Sequence, residues 1–407
     1  MRVHFAFLSQ FQAKCARELL CWCVFGRVSG RKLDNARNLH YTYVMLSEFS
    51  LRLERIEAHL ARALPSAMEL TTATSAPWKT AAFAAQDACV GSTHLAQLVE
   101  PCARLMALGG KRWRPLLLVL CAELAQDAKN SSPQTIETAY ALTPLVEFAH
   151  TASLIHDDIE DGADTRRDER AAHIVFGTDV AINAASWLYF EATTCIDALA
   201  LSESERNACY ALYLLELRRL HLGQAMDILW HRNPHLFPTQ DEYTAMVRNK
   251  TGTLARMAVK LGIRCGGGTA EETERAGHIA EDIGVGFQIL DDVQNLTTGN
   301  PGKKRGDDIV EGKKSLPVLL HLARNPGDRT RLSALFAQAR AEGIQSSAVE
   351  QAAALLTESG AVADARTRGT QLVASKSREL SALYGTNGAA AQRIIDLLSS
   401  ISGSPPS

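Results

Sequence analysis

The segment HTASLIHDDIEDGADTRRDERAAH, residues 150–173, places a group of aspartates at the end of an apolar helical run. On a helix, residues four apart lie on one face, so Asp157 and Asp161 would point into the same space and Asp158 would flank them. Carboxylates this close repel one another unless a cation lies between them, and their oxygens favour a hard metal such as Mg²⁺. The spacing therefore predicts a magnesium site.

Two arginines follow these aspartates. Arg166 and Arg167 carry forked donors that match phosphate oxygens, which extends the prediction to a metal and diphosphate site. The alternative is a solvated acidic helix end that its arginines merely neutralise. The small and apolar residues from Ala152 to Ile155 indicate that the carboxylates emerge from a buried helix, and this favours the ligand site.

Bulk composition excludes several classes of function. The 407 residues carry 43 basic and 45 acidic side chains, a net charge of −2, so no overall field favours nucleic acid or an anionic membrane. Apolar residues make up 46% of the chain, which is ample for a core. The apolar run from Leu19 to Phe25 is far shorter than the ~20 residues that span a bilayer. The nine cysteines form no CxxC pair and favour a reducing compartment, so we expect a soluble, cytoplasmic protein.

The first residues differ in character from the rest. Residues 1–44 are basic, poor in acids and weakly periodic. We expect a poorly ordered extension or an over-long start before Met45, with a targeting segment as the alternative. Apolar residues at helical spacing then predict a helix over residues 47–64.

Helical periodicity dominates the remainder. A Thr-, Ser- and Pro-containing stretch at 71–78 indicates a linker, so we divide the chain into an N-terminal extension, residues 1–75, and one domain, residues 76–402. We find no period-2 runs and no internal repeat, and we predict one large all-α bundle. Helices are expected over residues 94–107, 115–128, 136–160, 181–200, 205–230, 241–261, 271–295, 316–323, 330–341, 347–359 and 389–399.

A second acidic helix face lies in GVGFQILDDVQN, residues 284–295. Asp291 and Asn295 are four residues apart, Asp292 flanks them, and Gln288 lies one turn earlier on the same face. This arrangement repeats that of the first aspartates and predicts a second carboxylate wall.

A basic loop follows it. The segment PGKKRGDDIVEGKKSLP, residues 301–317, is expected to bring cations towards those carboxylates, where phosphate would also be drawn. A solvated loop is the alternative. Its basic residues are Lys303, Lys304, Arg305, Lys313 and Lys314.

A third basic group lies in GGKRWRP, residues 109–115. Lys111 and Arg114 are three residues apart beside glycines that let the backbone approach a ligand, although arginines at a helix start are often structural.

A lysine inside an apolar helix forms the fourth group. Lys250, with the neighbouring Thr251, needs a partner if it is buried. Gly223, Gln224 and Asp227 precede it by one helix.

Together these segments resemble one family, the trans-isoprenyl diphosphate synthases, which are head-to-tail prenyltransferases. GGKRWRP, LIHDDIED, the arginine pair, HLGQAMD, KTG, GFQILDD and DIVEGKKSLP follow in that family's order between Gly109 and Pro317. The first aspartate motif and the asparagine of DDVQN are most similar to eukaryotic-type geranylgeranyl diphosphate synthases. The resemblance implies an all-α bundle around a deep central cavity, a homodimer, and two aspartate motifs facing each other across the cavity mouth.

The resemblance also implies substrates and roles. Isopentenyl diphosphate would condense with an allylic diphosphate, with Mg²⁺ as the cofactor, and the departing pyrophosphate would accept the proton. Magnesium would be held by Asp157, Asp158, Asp161 and Asp291, supported by Asp292 and Asn295. The allylic diphosphate would be bound by Arg166, Lys250, Lys304, Lys313 and Gln288, and Thr251 and Gln288 would offer dipoles to the carbocation. Isopentenyl diphosphate would be bound by Lys111, Arg114, His150 and Arg167.

The chain departs from the family pattern at two places. Asp168 and Arg170 stand where the family usually has Gly and Pro, which puts the path of this loop and the contacts of Arg167 in question. Asn295 replaces the commoner Asp, which should weaken metal affinity without removing the site.

Two other functions compete with this prediction. A class I terpene cyclase also uses an aspartate-rich motif on an α-bundle, but it needs no second diphosphate pocket of the kind that Lys111 and Arg114 suggest. A non-catalytic subunit of a heteromeric synthase would be expected to lose aspartates that are intact in this chain.

Product length is expected to depend on the helix that precedes Asp157. Ser153 and Ala152, four and five residues back, are small and leave room for a growing chain, while Phe148 lies one turn further down and would close the cavity. Trp187 or Tyr189 would form the opposite wall. The sequence thus predicts geranylgeranyl diphosphate, with longer polyprenyl or farnesyl diphosphate as alternatives.

Overall fold

A computed structural model of the protein describes residues 37–299, 304–385 and 388–402. The predictions made for residues 1–36 lie outside this range. The chain divides into two compact units, Met1–Arg52 and Leu53–Ser407. Most described residues are helical and the described strands are two residues long each, which confirms the all-α class. Among the described helices, none is long and apolar enough to cross a membrane.

The elements follow one another with short connections. The first half of the chain contains α1 Arg37–Ala63, α2 Ala67–Leu70, α3 Ala76–Phe83, α4 Ser92–Ala107, α5 Trp113–Lys129, α6 Gln134–Ala141, α7 Thr143–Asp161, the strands β1 Thr165–Arg166 and β2 Glu169–Arg170, α8 Ala172–Phe176, α9 Thr178–Glu191 and α10 Thr194–Asp197. The second half contains α11 Glu203–His231, α12 Gln240–Val247, a π-helical segment Arg248–Gly252, α13 Thr253–Cys265, α14 Ala270–Thr297, α15 Asp307–Glu311, α16 Leu316–Arg324, α17 Arg329–Glu342, α18 Ser347–Glu358, α19 Ala361–Ser381 and α20 Ala389–Ser402.

Four predicted segments differ from the structure. The helix predicted over 181–200 is two helices, α9 and α10. The helix predicted over 136–160 is two helices, α6 and α7, because Pro144 lies in the first turn of α7 and its missing N–H favours a helix start. The helix predicted over 241–261 is interrupted by the π-helical segment. The predicted linker at 71–78 contains a 3₁₀ turn, Ala73–Ser75, and the start of α3.

Helix α19, which is 21 residues long, was not predicted from the sequence. Helix α19 buries Val362, Ala365, Gly369 and Val373 at three- and four-residue spacing. Two of these four residues are glycine or alanine, so the apolar periodicity is weak even though the face is buried. This helix packs extensively against α14, which carries the second aspartate motif.

The core is built around α5. Residues Leu116 to Leu120 are at most 2% exposed on every side of the helix, so α5 is surrounded by other elements. Helix α13 approaches it closely at Gly262, where an added Cβ would lie only 2.3 Å from the carbonyl oxygen of Leu118. Helix α14 also packs against α13. The two aspartate motifs therefore belong to long helices anchored in one packed body.

A buried carboxyl group makes this fold sensitive to pH. Burial raises the pKa of Glu191 from about 4.5 to about 8, and the Trp78 indole N–H, 2.9 Å from the carboxylate, only partly offsets the burial. The folded state therefore holds this proton over a pH range in which the unfolded chain has lost it. We expect the free energy of unfolding to fall between about pH 4.5 and pH 8, by an amount on the order of 3–5 kcal/mol.

Glu191→Gln keeps the acceptor for Trp78 and removes the titration. Denaturant unfolding from pH 5 to pH 9 should show that the variant loses this pH-dependent fall, while Glu203→Gln, at the first residue of α11, should retain it. An unchanged pH profile in Glu191→Gln would assign the sensitivity to another group.

Candidate active site

The first aspartate motif lies at the end of α7 and is surrounded by cations. Asp157 Oδ1 is 3.1 Å from Lys250 Nζ, and Arg166 contacts both Asp157, at 3.6 Å, and Asp158, at 2.8 Å. Asp161 pairs with Lys313 at 3.1 Å. These side chains compensate the repulsion that the sequence analysis assigned to a metal alone. The motif is thus a site of alternating charge, with Asp158 buried beneath it.

A short hairpin returns the arginine pair to the motif. Strands β1 and β2 pair antiparallel, and the two residues between them, Arg167 and Asp168, have φ of 55° and 64°. Arg166 points to the aspartates, whereas Arg167 donates to the carbonyl oxygens of Gly109 and, at 3.3 Å, Leu105. The loop path that the sequence left open is therefore a tight turn that separates the two arginines.

The loop before α5 is held by a residue that the sequence analysis passed over. Arg112, 5% exposed, donates to Glu147 and Glu57, each at 2.7 Å, and to the Met106 carbonyl oxygen at 2.8 Å. Glu147 could have signalled this pair, because an acid inside the apolar run of α7 requires a buried cation. Arg112 is a structural anchor that shapes the loop carrying Lys111.

Arg114 and His150 meet, as their predicted shared role requires. Arg114 Nη1 lies 3.3 Å from His150 Nε2. Burial, with Arg114 and other arginines nearby, holds the pKa of His150 well below its ordinary value, so the ring is neutral. Lys111 is exposed, and no partner is recorded for it within the described residues. Arg167 reaches the neighbouring Gly110, where an added Cβ would lie 3.0 Å from Nη2.

The π-helical segment sets the position of Lys250 and Thr251. Helix α11 approaches this segment so closely at Gly223 that an added Cβ would lie 2.3 Å from the Lys250 backbone nitrogen. Lys250 then reaches Asp227 at 2.6 Å as well as Asp157. Burial opposes the charge of Lys250, but Asp157 and Asp227 outweigh it and raise its pKa, so this lysine remains charged.

Gln224 is a site residue that received no role from the sequence. Its side-chain nitrogen donates to Asp157 at 3.1 Å and to Glu160 at 2.6 Å. The sequence could have indicated this role, because Gln224 lies three residues before Asp227 and therefore on the same face of the helix. Gln224 connects α11 to the aspartates of α7.

The second motif separates an exposed from a buried aspartate. Asp291 is exposed, whereas Asp292 is 5% exposed and accepts hydrogen bonds from Tyr243, at 2.7 Å, and Gln288, at 2.9 Å. Thr251 in turn donates to Gln288 Oε1 at 2.8 Å. Burial raises the pKa of Asp292 to about 6 despite these bonds. Asp291 is therefore the carboxylate that this motif presents to solvent.

Asn295 has a different place from the one expected. It is fully buried, and its Oδ1 accepts from the Asp308 backbone N–H at 3.2 Å. Its own carbonyl oxygen accepts from Gly306 at 2.9 Å. In this structure the Asn295 amide ties α14 to the start of α15, and its support of a metal stays a prediction.

The basic residues of the loop that follows α14 have different surroundings from one another. Lys313 is the member that contacts the aspartates, and it contacts the first motif rather than the second. Arg305 pairs with Glu350 at 2.5 Å, and Lys314 lies between two phenylalanine rings. The Lys304 side chain is exposed, and its backbone N–H donates to Asp307 at 2.6 Å. Lys303 lies outside the described residues.

The carboxylates fit a metal that brings its own partners. Among the described residues, no three His, Cys, Asp or Glu side chains are grouped closely enough to hold an ion by themselves. Magnesium, however, usually keeps several waters and uses one or two carboxylates together with substrate phosphates. Asp161 Oδ1 is buried without a hydrogen-bond partner, which a cation would satisfy. Asp157 and Asp161 of the first motif could supply such carboxylates, and the family resemblance adds Asp291 from the second.

The chain is similar in sequence to two fungal geranylgeranyl pyrophosphate synthases. The chain is 37% identical over 211 residues to a geranylgeranyl pyrophosphate synthase of Aspergillus flavus, covering 51% of this chain and 59% of that protein. It is 37% identical over 248 residues to geranylgeranyl pyrophosphate synthase 2 of Zymoseptoria tritici, covering 59% and 70%. The match thus spans less than two thirds of the first relative.

A solved structure supports the fold. The geranylgeranyl pyrophosphate synthetase of Pyrococcus horikoshii superposes with a TM-score of 0.72 at 23% identity, covering 90% of this chain and all of that one. The polyprenyl synthetase family model matches residues 96–355, a range that contains both aspartate motifs, the π-helical segment and every basic residue described around them. This chain belongs to the polyprenyl synthetase family.

Proposed function

We propose that this chain is a trans-prenyltransferase that condenses isopentenyl diphosphate with an allylic diphosphate and makes geranylgeranyl diphosphate. One observation carries the proposal: Arg166, Lys250 and Lys313, from three separate segments, converge on the aspartates of α7. Such a group of half-buried cations beside carboxylates suits a ligand that arrives with metal and phosphate together. The similarity to two fungal geranylgeranyl pyrophosphate synthases supports the product.

The basic residues would act on the allylic diphosphate. Mg²⁺, when bound by Asp157, Asp161 and Asp291, would neutralise charge on the diphosphate and ease its departure. Lys250, Lys313 and Arg166 would bind the phosphate oxygens and stabilise the negative charge that develops as the C–O bond breaks. Because all three are already charged and positioned, little reorganisation is required. Gln288 and Thr251, joined by a hydrogen bond of 2.8 Å, would face the resulting cation with their dipoles.

The Arg114–His150 pair would receive isopentenyl diphosphate, together with Lys111 and Arg167. Burial lowers the pKa of Arg114 to about 10, although the carboxylates of Glu147 and Asp291 act in the opposite direction, so this side chain stays charged at neutral pH. The double bond of the bound substrate would attack the allylic cation, forming one C–C bond, and the released pyrophosphate would take the proton. No described side chain is required as the base.

The assignment of product length remains with α7. Ala152 and Phe148 are both fully buried, and Ser153 is held by its hydrogen bond of 2.8 Å to the His150 carbonyl oxygen. Of the two residues proposed for the opposite wall, Tyr189 stacks on His156 at 5.7 Å. Trp187 instead stacks on Phe83 at 6.0 Å. Tyr189 is therefore the better candidate for a wall beside the aspartates.

Ala152→Phe should shorten the product to farnesyl length, and Phe148→Ala should lengthen it, because each changes the depth of the space below Asp157. Chromatography of the dephosphorylated products measures the effect. Ala149→Phe is the matched control, since Ala149 is equally buried on another face of α7 and should destabilise the fold without changing the product. If neither test variant shifts the product while both remain folded, α7 does not set its length.

A homodimer is supported by an apolar stripe across α9 and α11. The Tyr213 hydroxyl donates to the Tyr189 carbonyl oxygen at 2.6 Å and holds the two helices side by side. A run of exposed leucines at seven-residue spacing on α11 marks one continuous face of such a helix. The stripe comprises Ile182 (44% exposed), Phe190 (72%), Leu215 (39%), Leu222 (55%) and Leu229 (52%).

Sedimentation equilibrium should give twice the chain mass of 44.2 kDa. Leu222→Glu combined with Leu229→Glu should yield the monomer, because charges cannot be buried unpaired at an interface. Met68→Glu, at another exposed apolar residue, should remain dimeric. A wild-type protein that sediments as a monomer would remove this proposal. The cytoplasmic location stays a prediction.

One assay tests the function against its rivals. Purified protein with Mg²⁺, isopentenyl diphosphate and a short allylic diphosphate should form an elongated linear diphosphate. A cyclic hydrocarbon would indicate a terpene cyclase, and no product would favour a non-catalytic subunit. Incubation with the allylic diphosphate alone provides the control for cyclisation.

A further inference from the structure

A pocket lies beside Lys313, and Lys314 is one of its lining residues. It has a volume of about 240 Å³. Lys313 faces Asp161, while the next residue, Lys314, turns into this pocket. Most of the lining residues are apolar, but three of them have side-chain nitrogen atoms. The lining consists of His231, Pro234, Gly312, Lys314, Phe336, Ala337, Arg340 and Ala341.

Lys314 carries a charge that no carboxylate offsets among its recorded contacts. The side chain is 3% exposed, lies 4.8 Å from the Phe237 ring centre and 4.7 Å from that of Phe336, and donates to the Gly312 carbonyl oxygen at 3.0 Å. A buried ammonium held only by rings and one carbonyl is costly. Burial lowers the pKa of Lys314 to about 8, in keeping with this cost.

Two neighbouring side chains, His231 and Arg340, also have hydrogen-bonding groups that could bind a ligand. His231 is 3% exposed, and its Nδ1 is buried without a hydrogen-bond partner. Arg340 donates to the carbonyl oxygens of His231, at 3.1 Å, and Glu311, at 3.4 Å, which uses two of its five N–H groups. Among the described lining residues, Lys314 and Arg340 are cations, His231 has a ring nitrogen without a hydrogen-bond partner, and none is acidic.

We propose that this pocket binds a small carboxylate with a compact apolar body. The carboxylate would pair with Lys314 and the remaining N–H groups of Arg340, while the apolar part would lie against Phe336 and the alanines. An engineered apolar cavity of about 150 Å³ accepts benzene, so 240 Å³ accommodates a benzoate-sized anion. The pocket wall is continuous in sequence with Lys313, yet binding itself does not depend on the proposed prenyltransferase activity.

Benzoate is the probe, and benzamide is its uncharged match. Calorimetric titration of the full chain should detect benzoate binding, with benzamide about tenfold weaker or undetectable. Lys314→Met should weaken benzoate by about tenfold, and methionine suits the space between two aromatic rings, so the fold should persist. Lys129→Met is the control, because Lys129 pairs with Glu272 and does not line the pocket.

Competition identifies where the probe binds. Inorganic pyrophosphate should not displace benzoate, because it belongs to the site around Asp157. Equal binding of benzoate and benzamide, unchanged binding in Lys314→Met, or displacement by pyrophosphate would each overturn the proposal, as would no binding to the wild-type chain. The wild-type comparison of the two probes decides the matter even if Lys314→Met does not fold.

Discussion

Asp157→Asn should lower kcat/KM for elongation by about 10³-fold while the chain stays folded. Asp157 receives Lys250, Arg166 and Gln224 in the free protein and is proposed to become a metal ligand when diphosphate arrives. Asparagine keeps the shape and one oxygen but loses the charge that orders these donors and the metal. Initial rates measured over a range of Mg²⁺ and allylic substrate concentrations test the prediction.

The stability of this variant should change little. Lys250 keeps its closer partner, Asp227 at 2.6 Å, so no buried cation is left without a counter-charge. Asp87→Asn, at an exposed position between α3 and α4, is the control and should retain full activity. Near-normal turnover in Asp157→Asn, together with normal activity in the control, would show that the site has been misassigned.

Lys250→Met should affect both activity and stability. Removing the ammonium leaves Asp227, which is 6% exposed, without its nearest cation, and breaking a buried ion pair in this way costs about 3–5 kcal/mol. Burial opposes the ionised form of Asp227, and Lys250 and Lys313 overcome it and lower the pKa, so the variant should raise that pKa. Loss of a positioned cation should also reduce kcat/KM by about 10²–10³-fold.

A double variant separates the two effects. Lys250→Met with Asp227→Leu removes both partners, so the free energy of unfolding should recover much of its loss while activity stays low. Lys260→Met, one helix further along at a lysine paired with Glu274, is a control that should leave turnover per folded molecule unchanged. Recovery of activity in the double variant would contradict a direct role for Lys250 in binding diphosphate.

The sequence by itself determined the fold class, the family and most of the residues of the candidate site. Helical spacing alone placed Asp157 and Asp161 on one face, and the order of the motifs identified the family, both of which are local properties of the chain. The resemblance to the family assigned Arg114 and His150 to one substrate, and in the structure these two side chains lie 3.3 Å apart. These features are readable because they depend on short separations in sequence or on motif wording.

Only the tertiary structure decided which partners these residues have. Lys313 pairs with Asp161 across 152 positions in sequence, and Lys314 beside it enters a separate pocket. Asn295, which the family resemblance implied as support for a metal, is buried where the chain returns at Asp308. Spacing fixes the face on which a side chain lies, but contacts between distant segments depend on how helices pack, and the close approach of α11 at Gly223 is one such event.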